Sequence, residues 1–348
     1  MKYSRLCSWG GLIGMAILLS QCATPTTSPT ATIPPTVEPT PKSTEPAPTP
    51  APTMTESPPA PKPFRVIGYF YSWGDASDVD HVAWECLTHV NYAFMLAAED
   101  GSISNSEPER LKQLVTVAHE HNVQVLVSIG GWGQDRPFAE FAASPERRTR
   151  FITQVLQAVE DYDLDGVDID WEYPSAESRS VQDFVDLMSE LRTELAPKGK
   201  LLTAAVSANH VNGDGISEKV FPLVDFLNIM AYDGPDQNHA SMPFTQAALD
   251  YWTARGLPQE KMVLGVPFYG RSPEVSYRKL VELDPQAAQS DEWEYQGSRV
   301  YYNGIPTIQE KTRMARRQAS GIMIWALQHD TEDDTSLLKA IAEAARQP

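Results

Sequence analysis

The chain has 348 residues and a formal net charge of −18, with 46 acidic against 28 basic side chains. An acidic surplus of that size excludes the basic patch a nucleic-acid binder needs, and it suits a neutral substrate. Cysteine is scarce: with Cys7 and Cys22 near the start, the folded part keeps Cys86 alone and no internal disulfide, which a core of this size does not need.

The first segment, 1–22, carries Lys2 and Arg5, then Leu12, Ile13, Ile17, Leu18 and Leu19. A basic start before a short apolar run predicts a secretory signal peptide, and the run is short for a membrane span. Leu19-Ser20-Gln21-Cys22 resembles the site at which bacterial lipoproteins are cleaved and acylated, so Cys22 is the expected lipidation position. Gln21 departs from the small residue that pattern prefers, and ordinary secretion is the alternative. Either route puts the protein outside the cell or on its surface, touching a membrane only through such an anchor. Residues 23–63 are Pro and Thr with scattered Ser, Ala and Glu. They lack the apolar side chains that would offset ordering entropy, so a disordered, polyproline-biased tether is expected. The folded part is expected over 64–348.

From there, short apolar and β-branched runs recur. Strands are predicted over Arg65–Tyr71, Thr88–Phe94, Gln124–Ile129, Gly166–Trp171, Leu201–Ser207, Phe226–Ala231, Met262–Phe268 and Gly321–Ala326. Helical periodicity fills the intervals at Leu111–Ala118, Val181–Leu195, Phe244–Ala254, Ile308–Arg317 and Leu337–Ala345. Between the third and fourth strands, Ser144 caps and Pro145 opens a helix whose Ile152, Val155, Leu156 and Val159 share one face. Cys86, beside Trp84 and Leu87, reads as a structural thiol. Strands that alternate with helices and are apolar on both faces imply a parallel sheet buried on both sides. Eight such units predict a single closed (β/α)8 barrel, with its active site at the C-terminal strand ends.

The fourth strand carries the chemistry. In Asp165-Gly166-Val167-Asp168-Ile169-Asp170-Trp171-Glu172 the period of two puts Asp168, Asp170 and Glu172 on one face and Val167, Ile169 and Trp171 on the other. The apolar back disfavours a solvated acidic face. Crowded carboxylates repel, so at least one must hold a proton or have a raised pKa, as a general acid needs. A hard-metal site competes with that reading, although no second cluster at metal-ligand spacing occurs in the chain. Other strand ends collect aromatics: Tyr69, Tyr71 and Trp73, then Trp132 after Gly130-Gly131, Tyr232 before Asp233, Tyr269 before Arg271, and Trp325. Aromatic faces around carboxylates fit sugar rings, which are apolar on their faces and polar at their edges.

Over about Phe64 to the C-terminal helix the chain resembles the glycoside hydrolase family 18 chitinases. The motifs are D-x-x-D-x-D-x-E at Asp165, Asp168, Asp170 and Glu172, S-x-G-G at Ser128 to Gly131, M-x-Y-D at Met230 to Asp233, and the last-strand Trp325. The resemblance implies retaining hydrolysis of β-1,4-linked N-acetylglucosamine, in chitin or its oligosaccharides, with the substrate's own acetamido group as nucleophile. Glu172 would be the acid and base. Asp170, sharing a proton with Asp168, would stabilise the acetamido group, and Tyr232 would align it. Trp325 would floor the site, with Trp73 and Trp132 stacking sugars on either side. Tyr69, Gly131, Met230, Asp233 and Arg271 complete the expected cleft, an ion pair being the alternative for Arg271. Asp165 is expected to hold the strand start. No cofactor and no metal are implied, and a monomer is expected. Peptidoglycan, N-glycans or a non-catalytic lectin role are the other readings. The stretch from Arg271 to Ser320 is short for the extra lobe many members insert there, so a compact, shallower cleft is expected.

Overall fold

The computed structural model describes residues 64–347. The expected signal 1–22, the tether and Cys22 lie outside them. Eight parallel strands close on themselves: β1 (Arg65–Tyr71), β2 (His89–Ala97), β3 (Gln124–Gly130), β4 (Gly166–Asp170), β5 (Leu201–Ser207), β6 (Phe226–Met230), β7 (Met262–Pro267) and β8 (Gly321–Trp325). The closing contact pairs β1 with β8, with Arg65 opposite Gly321. A short strand, Ile103–Ser104, adds antiparallel to the end of β2. The predicted (β/α)8 barrel is therefore the fold.

Each strand runs into helical structure that covers the barrel. The longer helices are α1 (Pro108–Glu120), α2 (Asp135–Ala142), α3 (Pro145–Asp161), α4 (Ser180–Leu195), α5 (Met242–Ala254), α6 (Ile305–Gln318) and α7 (Leu337–Arg346). Ser144 caps α3 as its position predicts, its hydroxyl accepting from the Arg147 amide. Helix α2 has no counterpart in the predicted elements. Its Phe138 and Phe141 are buried, and they pack on Phe151 of α3.

The alternation along β4 sorts as predicted. Val167, Ile169 and Trp171 point outward into the shell between strands and helices, all buried. Burying side chains of this size contributes about 1.5–3 kcal/mol each. The barrel interior has its own small cluster, which includes Ile67, Tyr69, Phe226, Val263 and Met323. Asp165 sits at the start of β4, where its carboxylate accepts from His119 Nε2 at 2.9 Å and from the Val125 amide at 2.8 Å. It ties β3 to β4, as expected of a residue out of phase with the row. Cys86 is half-buried, and burial pushes its thiol up.

Between β7 and β8 lie two paired two-residue strands, Tyr269–Gly270 and Val275–Ser276, a short helix, Tyr277–Leu283, and a hairpin, Glu292–Tyr295 with Ser298–Tyr301. With α6, these short elements occupy the interval between the two strands. Among the described residues, no helix is long and apolar enough to cross a membrane.

Candidate active site

The C-terminal strand ends open into a cleft of about 730 Å³. Strand β4 delivers its carboxylates there in order of depth. Asp168 is the deepest, with no exposed surface. One of its oxygens accepts from Tyr69 Oη at 2.7 Å and Ser128 Oγ at 2.8 Å. The other accepts from Thr203 Oγ1 at 2.6 Å and Asn228 Nδ2 at 3.1 Å. The donors come from β1, β3, β5 and β6, so the carboxylate pins the inside of the barrel together. Burial raises its pKa, although the four donors pull the other way.

Asp170 lies one pleat higher and is built differently. It is also buried, yet its Oδ1 has no protein partner. Burial first, then the charges of Glu172 and Asp168, push its pKa well up. The shared proton implied by resemblance would need a hydrogen bond between Asp168 and Asp170. Both Asp168 oxygens accept from the four donors above, and the pKa of each aspartate is raised.

Glu172 stands two residues past the end of β4 and lines the cleft. Burial raises its pKa, the Tyr173 hydroxyl offsets part of that, and the negative charge of Asp233 adds to it. Trp171 behind it is clamped: its ring stacks on Phe138 at 5.4 Å and meets Phe184 edge-on, while Nε1 donates to Asp135 at 2.9 Å. Helices α2 and α4 thus fix the backbone that carries the acid.

The opposite wall is aromatic. Trp325 stacks on Phe94, centroids 5.6 Å apart, and leans on Tyr69 at 5.7 Å. Trp73 stacks on Tyr71 at 4.8 Å. Trp132 is 84% exposed and offers an open aromatic face in the cleft lining. Met230 and Tyr232 also line the cleft, and the Tyr232 hydroxyl donates to the Met323 sulfur at 4.0 Å. The backbone beneath needs glycine. Gly130 has φ +122°, and a Cβ there would lie 2.1 Å from the Asp170 carbonyl oxygen.

Two expected cleft residues are placed differently. Arg271 is not in the cleft wall; its guanidinium pairs with Asp233 at 2.9 Å, the alternative expected of it. Gly131 is also behind the wall. Its amide donates to the Asp170 carbonyl at 2.9 Å, and a Cβ on it would strike the Phe94 ring at 2.6 Å. Asp233 is in the wall. Burial alone would raise its pKa, but bonds from His239 and Tyr269 and the Arg271 charge hold it below the ordinary carboxylate value. The cleft also includes Phe94, Tyr173, Asn209, Val211 and Asn212. Phe94 packs with the interior cluster beside Ala93, at a register shift in β2 that strict alternation does not anticipate, and the others sit on loops whose course the sequence pattern does not specify. Among the described residues, no group of three or more His, Cys, Asp or Glu has a geometry that would hold a metal ion.

A closed (β/α)8 barrel with a buried carboxylate row facing an aromatic groove defines a glycosidase-type site. Residues 65–330 match the glycosyl hydrolases family 18, and the chain belongs to that family. It is 31% identical over 256 residues to Chitinase 1 of Aphanocladium album, covering 59% of this chain and 60% of that protein. A chitinase-like effector of Moniliophthora roreri is 30% identical over 232 residues, covering 58% of this chain and 57% of that protein. The chain thus spans little more than half the length of these relatives. Among solved structures, the GH18 chitinase ChiB of Flavobacterium johnsoniae superposes with a TM-score of 0.71 at 30% identity, over 82% of this chain and 94% of that one. A chitinase of Bacteroides thetaiotaomicron gives 0.74 at 26% identity, over 82% and 97%.

Proposed function

We propose that the protein is a chitinase-type glycoside hydrolase that cleaves β-1,4-linked N-acetylglucosamine chains with retention. The observation that carries the proposal is the pairing of two raised carboxylates with different surroundings. Asp170 is buried with an unpartnered oxygen, while Glu172 faces the open cleft. One is placed to accept a hydrogen bond from a buried N–H of a substrate, the other to give a proton to a departing oxygen.

In the first step Glu172 transfers its proton to the glycosidic oxygen as the bond from that oxygen to the anomeric carbon breaks. The acetamido carbonyl oxygen of the same sugar forms the new bond to that carbon, giving an oxazolinium ion. Asp170 accepts from the acetamido N–H and balances the developing charge. Tyr232 donates to the acetamido oxygen and aligns it. Trp325 supports the sugar from below. In the second step Glu172 takes a proton from water, whose oxygen attacks the anomeric carbon and opens the ring, restoring the starting enzyme. Asp168, fixed by four donors, holds β4 and contributes a nearby negative charge that keeps Asp170 basic.

The test is incubation with chitin hexamer, cellohexaose, peptidoglycan and a high-mannose glycopeptide. Cleavage of the first with retained anomeric configuration supports the reading. Efficient cellohexaose cleavage would sink it, because that substrate has no acetamido nucleophile. We also infer secretion, with Cys22 as a lipid anchor; the relatives include a protein named as a secreted chitinase, from Penicillium expansum.

A further inference from the structure

The cleft wall on the side of Glu172 is a loop that the barrel does not hold by itself. After β5 the chain runs through 207–216 before it turns back toward β6. Asn209 caps its single helical turn by accepting from the Val211 amide at 3.0 Å, and Val211 is 71% exposed at the cleft edge. What holds this loop comes from the end of α5. Trp252 Nε1 donates to the Ser207 carbonyl at 3.1 Å, and Tyr251 Oη to Asp214 at 2.6 Å. Arg255, just past α5, donates from Nη1 to the Gly213 carbonyl at 2.6 Å and from Nη2 to the Ile216 carbonyl at 2.5 Å. The same guanidinium is fixed by Glu218 at 2.6 Å and by the Tyr251 hydroxyl at 2.9 Å. The planar guanidinium holds the two carbonyls at a fixed spacing, which a flexible ammonium does not.

The other side of the loop presses on the segment that carries the acid. A Cβ at Gly215 would lie 1.8 Å from the carbonyl oxygen of Pro174, two residues beyond Glu172. A Cβ at Gly213 would lie 2.8 Å from the Tyr251 ring. The loop is wedged between Pro174 and the end of α5 with no slack on either side.

We propose that Arg255 and Tyr251 are positioning residues that preset this loop as a substrate-binding wall. They hold the amides of Asn209 and Asn212 and the apolar side chain of Val211 where they meet sugar units beyond the one over Trp325. The chemical class they suit is an N-acetylated sugar chain, with hydroxyl and amide edges for the asparagines and a C–H face for the valine. A wall set before binding spares the substrate the entropy of ordering it. The inference rests on the glycosidase reading and extends it to the recognition of long substrates.

The test compares wild type with Arg255→Ala, Arg255→Lys and Tyr251→Phe, the last two serving if the alanine variant does not fold. Lysine keeps the charge but replaces the planar two-pronged fork with a single nitrogen, which loses the fixed spacing between the two carbonyls. Hydrogen–deuterium exchange should show amides of 209–216 exchanging about tenfold faster in the variants, with the barrel strands unchanged. The ratio of kcat/KM on N-acetylglucosamine hexamer to that on a fluorogenic chitobioside should fall about five- to tenfold, carried by KM on the hexamer. Unchanged exchange in the loop overturns the clamp. Faster exchange with an unchanged ratio overturns its role in binding, since a merely structural residue would lower both substrates alike. Wild-type protein that cleaves neither substrate would instead refute the glycosidase reading, and the exchange result would still decide the clamp.

Discussion

Glu172 and Asp170 lie two residues apart, but their surroundings ask different things of them. Glu172→Gln keeps the shape and removes the transferable proton, so kcat on chitin hexamer is expected to fall on the order of 10²–10⁴, with binding nearly unchanged. Near wild-type kcat would refute the assignment. Asp233 adds to the raised pKa of Glu172 through its negative charge. Only the protonated acid starts the reaction, so kcat/KM falls as pH rises through that pKa. Asp233→Asn removes the charge, lowers the Glu172 pKa and should move the alkaline limb of the profile to lower pH. A limb that stays put, or moves up, would show that Asp233 does not act through charge. Asp170 leads to a stability statement. Its pKa is raised in the folded state, so folding favours its protonated form. That contribution is fully present below the unfolded carboxylate range and is lost as pH rises through the folded pKa. Asp170→Asn should therefore melt above wild type at pH 8, by a margin that shrinks toward pH 4, while activity is lost. A lower Tm at pH 8 would mean that the carboxylate has partners in solution that offset its burial.

At the scale of elements, much of this barrel is legible in the chain because its strands are short, β-branched and bounded by helical periodicity. The predicted β1, β5 and α4 limits fall within a residue of those found. Residues on regular strands were equally readable: parity alone puts Asp168 and Asp170 inside and Trp171 outside. Where backbone course decides placement, the sequence pattern says less. Arg271 is in a loop, and nothing in its neighbours shows that it turns to Asp233. Asn209, Val211 and Asn212 reach the cleft only because α5, distant in sequence, holds their loop. Helix α2 is short, and Pro137 in its first turns hides its periodicity, yet it carries half the clamp on Trp171. Removing that clamp should be costly. Trp171→Ala deletes a buried ring packed on Phe138 and Phe184, with an expected loss of about 3–5 kcal/mol. Denaturant unfolding measures it, and a loss below about 1 kcal/mol would show that the shell collapses into the space. Asp330 does comparable work for α7, accepting from the Leu337 and Leu338 amides and from Ser336 Oγ.

For the whole molecule, the cleft is flanked by a small β7–β8 insertion and carries an exposed Trp132 in its lining. The expected processing at Cys22 would hold such a cleft near the cell surface. Leu19, Ser20 and Cys22 fit the acylation signal, and the Pro- and Thr-rich stretch starts directly after it. One acyl chain alone binds a membrane weakly, so stable retention requires at least a second chain. The expected mature protein begins at Cys22 and partitions with membranes, and Cys22→Ala releases it to the medium with its kcat on soluble hexamer intact. Mass spectrometry of the N-terminus gives the direct reading. An unmodified terminus, or Cys22→Ala protein still in the membrane fraction, would leave plain secretion as the route, with Gln21 as the residue that breaks the signal.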